Sequence, residues 1–152
     1  MQTFSASTYS ALTKAGWRVG RSVIALSYRL SLSIEGYRWF PAVEKFLQEF
    51  GGLEVSFDRQ GRKDTFHFKA PKAADDIDAS WVLHNYSQRI GNPNLCVVGQ
   101  AYTNHLLLFM DDTGKMYGGF DDYLCFIANS GEAAIEAICQ NQPVQEIQEL
   151  AE

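Results

Sequence analysis

The sequence predicts a single α+β domain, an antiparallel sheet of five to six strands flanked by N-terminal and C-terminal helices. Three observations predict it. In residues 36–57, GYRWFPAVEKFLQEFGGLEVSF, the apolar spacing changes from the period of a helix to that of a strand. Between residues 95 and 128, short apolar runs alternate with tight-turn residues, the pattern of an antiparallel meander. After them Ser130 stands three residues before Ala133, where a hydroxyl can cap a closing helix.

The corner at 36–57 organises the rest. Val43, Phe46, Leu47 and Phe50 fall at i, i+3, i+4 and i+7, one apolar face of a helix. Pro41 suits its first turn, where a missing N–H costs nothing. Gly51 and Gly52 end it, because one of them must take the positive φ of a helix stop. Leu53, Val55 and Phe57 then alternate with polar residues as a half-buried strand. Helix and strand must therefore share one core.

Upstream, residues 7–15 suit a short helix anchored by Leu12 and Trp17, with Gly16 as its stop. Residues 23–35 read as a second helix, whose Val23, Leu26, Leu30 and Ile34 are expected to face the core. Downstream of the corner, DRQGRKD joins two strands of a hairpin, with Phe66 and Phe68 turned to the core and His67 opposite. KAPKAADDIDAS is expected to be an irregular surface loop. Residues 81–90 read as a helix broken by Gly91-Asn92-Pro93-Asn94. Strands are expected at 95–102 and 106–111, then in KMYGGF and DDYLCFIA. The final helix should bury Ala134, Ile135, Ile138 and Cys139. The core spans about residues 9–140, and 141–152 form an acidic tail expected to be a short helix.

Composition narrows the chemistry. The chain has 152 residues, with 13 Lys plus Arg against 18 Asp plus Glu and a net charge of −5. That balance speaks against general binding to nucleic acid or an anionic membrane and favours a basic partner. Cys96, Cys125 and Cys139 form no CxxC and leave one thiol over in any pairing scheme, which fits a reducing cytoplasm. His67, His84 and His105 sit on separate elements without metal-ligand spacing, so no metal or cofactor is expected. A Cys–His nucleophile pair can be drawn, for example Cys96 with His105 across neighbouring strands, but Cys96 lies in an apolar run that suits an inert core thiol. Asp111-Asp112 precedes Thr113-Gly114 as a hairpin turn would. No catalytic residue is assigned.

Four stretches, AGWRVGRSV, GYRWFPAVEKFLQEFGGLEV, NLCVVGQA and LLLFMDDTGKMYGGFDDYLCFIANSGEAAIEAI, occur in an order that closely resembles the SUKH superfamily, in particular its third immunity-protein subfamily. The resemblance runs from about Leu12 to Ile138. It implies an α+β domain that binds and neutralises a cognate bacterial polymorphic toxin domain, contact-dependent or secreted, inside the producing cell. An acidic inhibitor suits a basic toxin such as a nuclease or another nucleic-acid-targeting enzyme. The alternative is a non-catalytic regulatory scaffold domain that binds an endogenous protein. The expected contact residues are Tyr117, Asp121, Asp122 and Tyr123 in one segment and Asp75, Asp76, Asp78 and Trp81 in another. The expected partner is a protein, with no nucleic acid or membrane, and the expected state is a cytoplasmic monomer or weak homodimer.

Overall fold

The computed structural model describes residues 4–150. Helices α1 (Ala6–Lys14), α2 (Leu26–Glu35) and α3 (Pro41–Phe50) precede a hairpin of β1 (Glu54–Arg59) and β2 (Arg62–His67). Three short helices follow: α4 (Ala70–Ala74), α5 (Ala79–His84) and α6 (Tyr86–Ile90). Then come β3 (Leu95–Ala101), β4 (Leu106–Asp111), β5 (Met116–Phe120), β6 (Tyr123–Ala128), α7 (Gly131–Cys139) and β7 (Gln145–Glu146). The described strands form one seven-stranded sheet in the order β1-β2-β3-β4-β5-β6-β7, every neighbour antiparallel. The α+β class stands, with one strand more than the sequence predicts.

Helices cover both faces. On one face Phe46 of α3 meets Phe68 edge-on, with ring centroids 4.8 Å apart. Phe50 packs beside them and stacks on Trp17. At the corner the two glycines serve different ends. Gly52 holds φ +84° and ends the helix, whereas Gly51 has an ordinary φ but leaves no room for a Cβ beside the Leu47 carbonyl and the Tyr28 ring. Ser130 accepts a hydrogen bond from the Ala133 N–H at 3.1 Å and caps α7, whose Ala134, Ile135, Ile138 and Cys139 are buried as expected.

His67 points away from Phe66 and Phe68 as expected, and it is buried there with its imidazole bonded to Gln100 of β3. The rest of the fold departs from the sequence-based expectations in four places, at α4, at the α5–α6 break, in α2 and at the C-terminus. The stretch read as an irregular loop is largely helical: Ala70, Ala73 and Ala74 recur at i, i+3 and i+4, and this small buried face lies on β3. The helix read over 81–90 breaks at Asn85 into α5 and α6. In α2 the expected core stripe is turned out. Leu26, Leu30 and Ile34 are exposed, while Leu32 on the opposite side of the helix is buried. At the C-terminus, residues 145–146 pair with β6 as a strand where a helix was expected.

A candidate protein-binding cleft

The two segments that the sequence puts forward as contact surfaces come together on the α4–α6 face. Asp76, Ile77 and Asp78 link α4 to α5 and, with Trp81, form one wall of a cleft of about 610 Å³. Phe120 and Asp121, at the turn between β5 and β6, form the other. Gln100 and Leu107 supply the floor, and Asn104 and His105 close one end. Three carboxylates and two aromatic rings thus line a single concavity open to solvent.

The β5–β6 turn is built to present its side chains. Phe120 pairs with Tyr123 across a two-residue loop, Asp121-Asp122, in which Asp121 takes φ +46°. Aspartate tolerates that region better than most residues. Both loop carbonyls are held from below. The Tyr86 hydroxyl donates to the Asp121 oxygen at 2.8 Å, and Arg89 donates to the Asp122 oxygen at 2.8 Å and to the Ile147 oxygen at 2.6 Å. With the backbone tied, the two carboxylates project freely. Phe120 stacks on Tyr123 with centroids 5.2 Å apart and remains 48% exposed, a rigid apolar platform beside the charges.

Tyr86 reaches the turn only because Gly119 has no side chain. A Cβ there would lie 2.7 Å from the Tyr86 ring. Gly118 and Gly119 have no positive φ and sit within β5, so they serve close packing rather than bending.

A hydrogen-bonded chain positions Asp76. The Lys69 N–H donates to His67 Nδ1 at 3.0 Å, which puts the imidazole proton on Nε2. His67 Nε2 then donates to Gln100 Oε1 at 2.9 Å, and Gln100 Nε2 donates to Asp76 Oδ2 at 2.7 Å. Burial holds the His67 imidazole below its usual pKa, with the Gln100 bond opposing, so the ring stays neutral near pH 7. Asp78 caps α5 by accepting from the Ser80 N–H at 3.2 Å, which fixes the second carboxylate.

Not every expected contact residue joins the cleft. Asp75 and Asp122 are exposed nearby, and Tyr123 flanks it beneath Phe120. Tyr117 is buried, and its hydroxyl donates to Asp111 Oδ2 at 3.3 Å. Two residues from Gly119, Tyr117 shares the face of β5 that Tyr86 of α6 covers, so it packs under the helices and not in the open cleft. Phe120 and the His67–Gln100 pair were not singled out from sequence. The FDDY hairpin carried the signal for Phe120, since a two-residue turn sets its flanking residues opposite each other.

Catalytic constellations are lacking among the described residues. Cys96 is buried, and burial pushes its thiol up to about 12. It also lies five residues, about 17 Å of strand, from the β3 end that adjoins His105. The Asp111 carboxylate is spent on its own turn, accepting from the N–H groups of Thr113 and Lys115 and from the Thr113 hydroxyl. No group of three or more His, Cys, Asp or Glu side chains is placed to hold a metal among the described residues, and no helix there is long and apolar enough to cross a membrane.

The described residues thus form a layered α+β domain with an acidic, aromatic-rimmed cleft, an arrangement suited to a binding domain. The chain belongs to the SUKH-3 immunity protein family, whose model matches residues 4–141. Membership makes it a non-catalytic immunity protein of a polymorphic toxin system and implies a cognate toxin that it neutralises. No match was found among curated proteins or among solved structures.

Proposed function

We propose that the protein neutralises its toxin by receiving a basic, arginine- or lysine-bearing element in the cleft between residues 76–81 and 120–122. The toxin is a nuclease or another nucleic-acid-targeting enzyme, and the encounter takes place in the cytoplasm of the producing cell. One observation carries the reading: two segments far apart in sequence converge on one concavity with Asp76, Asp78 and Asp121 around Trp81 and Phe120. Carboxylates beside exposed rings suit a guanidinium, which pairs with the former and stacks on the latter. Charge of this sign also steers a basic enzyme towards the cleft and raises the association rate.

The test is charge removal at the turn. Lysine at Asp121 would strain a positive φ, so the informative variant joins Asp121→Asn with Asp122→Lys. Association with the catalytically inactivated toxin should slow by roughly tenfold or more at low salt, with a smaller difference at high salt. Protection of cells should weaken while the melting temperature holds. Unchanged association at both salt concentrations would move the toxin contact elsewhere.

A further inference from the structure

Nine large apolar side chains are exposed among the described residues, and five of them lie between residues 19 and 34. Leu26, Leu30 and Ile34 stand at i, i+4 and i+8 of α2, within about 80° of arc on its outer face. Val19 and Ile24 precede them in the loop that leads into the helix, 72% and 84% exposed. Ile34 is 85% exposed. Single exposed aliphatics need no explanation, but five of them within residues 19–34, three on one helix face, are a concentration of the kind that marks an interaction surface.

The inner side of α2 is already satisfied. Leu32 is buried, Tyr28 packs against the Gly51–Gly52 corner, and the helix lies on α4. The outer stripe therefore faces solvent with no element of the described chain over it.

Charge identifies what fits there. The first forty residues hold five basic side chains and one acid, Glu35, although the whole chain carries −5. Arg18 and Arg29 are exposed next to Val19 and Leu30 in the chain, and the two ion pairs among the described residues, Arg59–Asp64 and Lys69–Glu54, lie elsewhere. A second copy of the chain is a poor occupant. Two-fold pairing centred on Leu30 would put both Arg29 side chains on the same rim, about 3 Å apart along the helix axis. The sign is also opposite to that of the cleft, so a basic toxin element suits one surface and is repelled by the other. We infer that the outer face of α2 is a second docking surface, for an acidic protein segment with aliphatic anchors, such as an amphipathic helix with glutamate flanks.

The probe is a synthetic helical peptide with leucines at i, i+3, i+4 and i+7 between glutamates, and its control has lysines in their place. Each is titrated into the isotope-labelled full chain while backbone amide shifts are followed by NMR. The glutamate peptide should perturb residues 19–34, saturate, and bind about tenfold or more tightly than the lysine peptide, with the difference shrinking in salt. Leu30→Glu should abolish that response without moving the melting temperature. Equal binding of both peptides, shifts outside residues 19–34, or no binding would overturn the inference. So would concentration-dependent dimerisation that Leu30→Glu removes, which would assign the stripe to a second copy. The cleft variant Asp121→Asn with Asp122→Lys should respond to the peptide like the parent, so this test and that of the cleft fail independently.

Discussion

The cleft and the α2 stripe are both exposed surfaces with apolar content, yet they are built in opposite ways. Around the cleft every wall is braced from behind: Tyr86 and Arg89 hold the turn, and His67 and Gln100 hold Asp76. The stripe is the free side of one helix, and nothing in the fold depends on it. Geometry that must receive charge at fixed positions requires supporting hydrogen bonds, whereas an apolar face needs only to be left uncovered. The two surfaces should therefore respond differently to substitution, to pH and to loss of a side chain.

The widest separation is expected from Gly119→Val. The new side chain would collide with Tyr86, costing about 1–3 kcal/mol in urea unfolding as an overpacked contact. Toxin association should fall because the turn loses its seat, while peptide binding at residues 19–34 should persist in the protein that remains folded. Loss of both would mean that the two surfaces are not independent.

Acid should sharpen the contrast next. The folded-state pKa of His67 lies below its unfolded value, so the unfolded chain takes up a proton first. Its contribution to stability is complete above the unfolded pKa near 6.5 and declines as the pH falls below it towards the folded value. Urea midpoints measured at pH 7.5 and 5.5 should show that loss in the parent and a smaller one in His67→Gln. An equal loss in both would place the acid sensitivity outside the chain behind Asp76.

The smallest effect belongs to the stripe. Leu30→Ala should leave stability within about 0.5 kcal/mol of the parent, as expected for an exposed position. A loss of several kcal/mol, the size seen when core leucines are truncated, would mean that α2 buries this face in solution.

Most of the strand order was legible because tight turns and period-two alternation are local signals. The Gly51–Gly52 corner and the Ser130 cap were legible for the same reason, each being a backbone requirement met by one residue type. The orientation of α2 was not. Spacing of Leu26, Leu30 and Ile34 shows that a helix has an apolar face, but the packing is carried from the opposite side by Tyr28 and Leu32, a shorter i, i+4 pair that the longer stripe outweighed. Helix α4 was missed because Ala70, Ala73 and Ala74 give little hydrophobic contrast, although they pack closely on β3. The cleft was half legible. Its two acidic segments could be named, but their meeting depends on β3 and β4 running beneath both, and Tyr117 could not be told from Phe120 until the packing of α6 over β5 was known.

The strand order has a consequence for how the chain reaches this structure. Each strand pairs with the one before it, and most connections are tight turns that are easily closed; the exceptions are the α4–α6 segment between β2 and β3 and α7 between β6 and β7. The ends are different. The Ser5 N–H donates to Glu136 Oε1 at 2.9 Å, and Gln140 Nε2 donates to the hydroxyls of Ser7 and Thr8, contacts that span more than 130 residues. Closing that span costs chain entropy that the contacts return only after the meander exists. Docking of α1 on α7 is thus expected to come late in folding. Truncating Gln140 should speed unfolding and leave the refolding rate nearly unchanged.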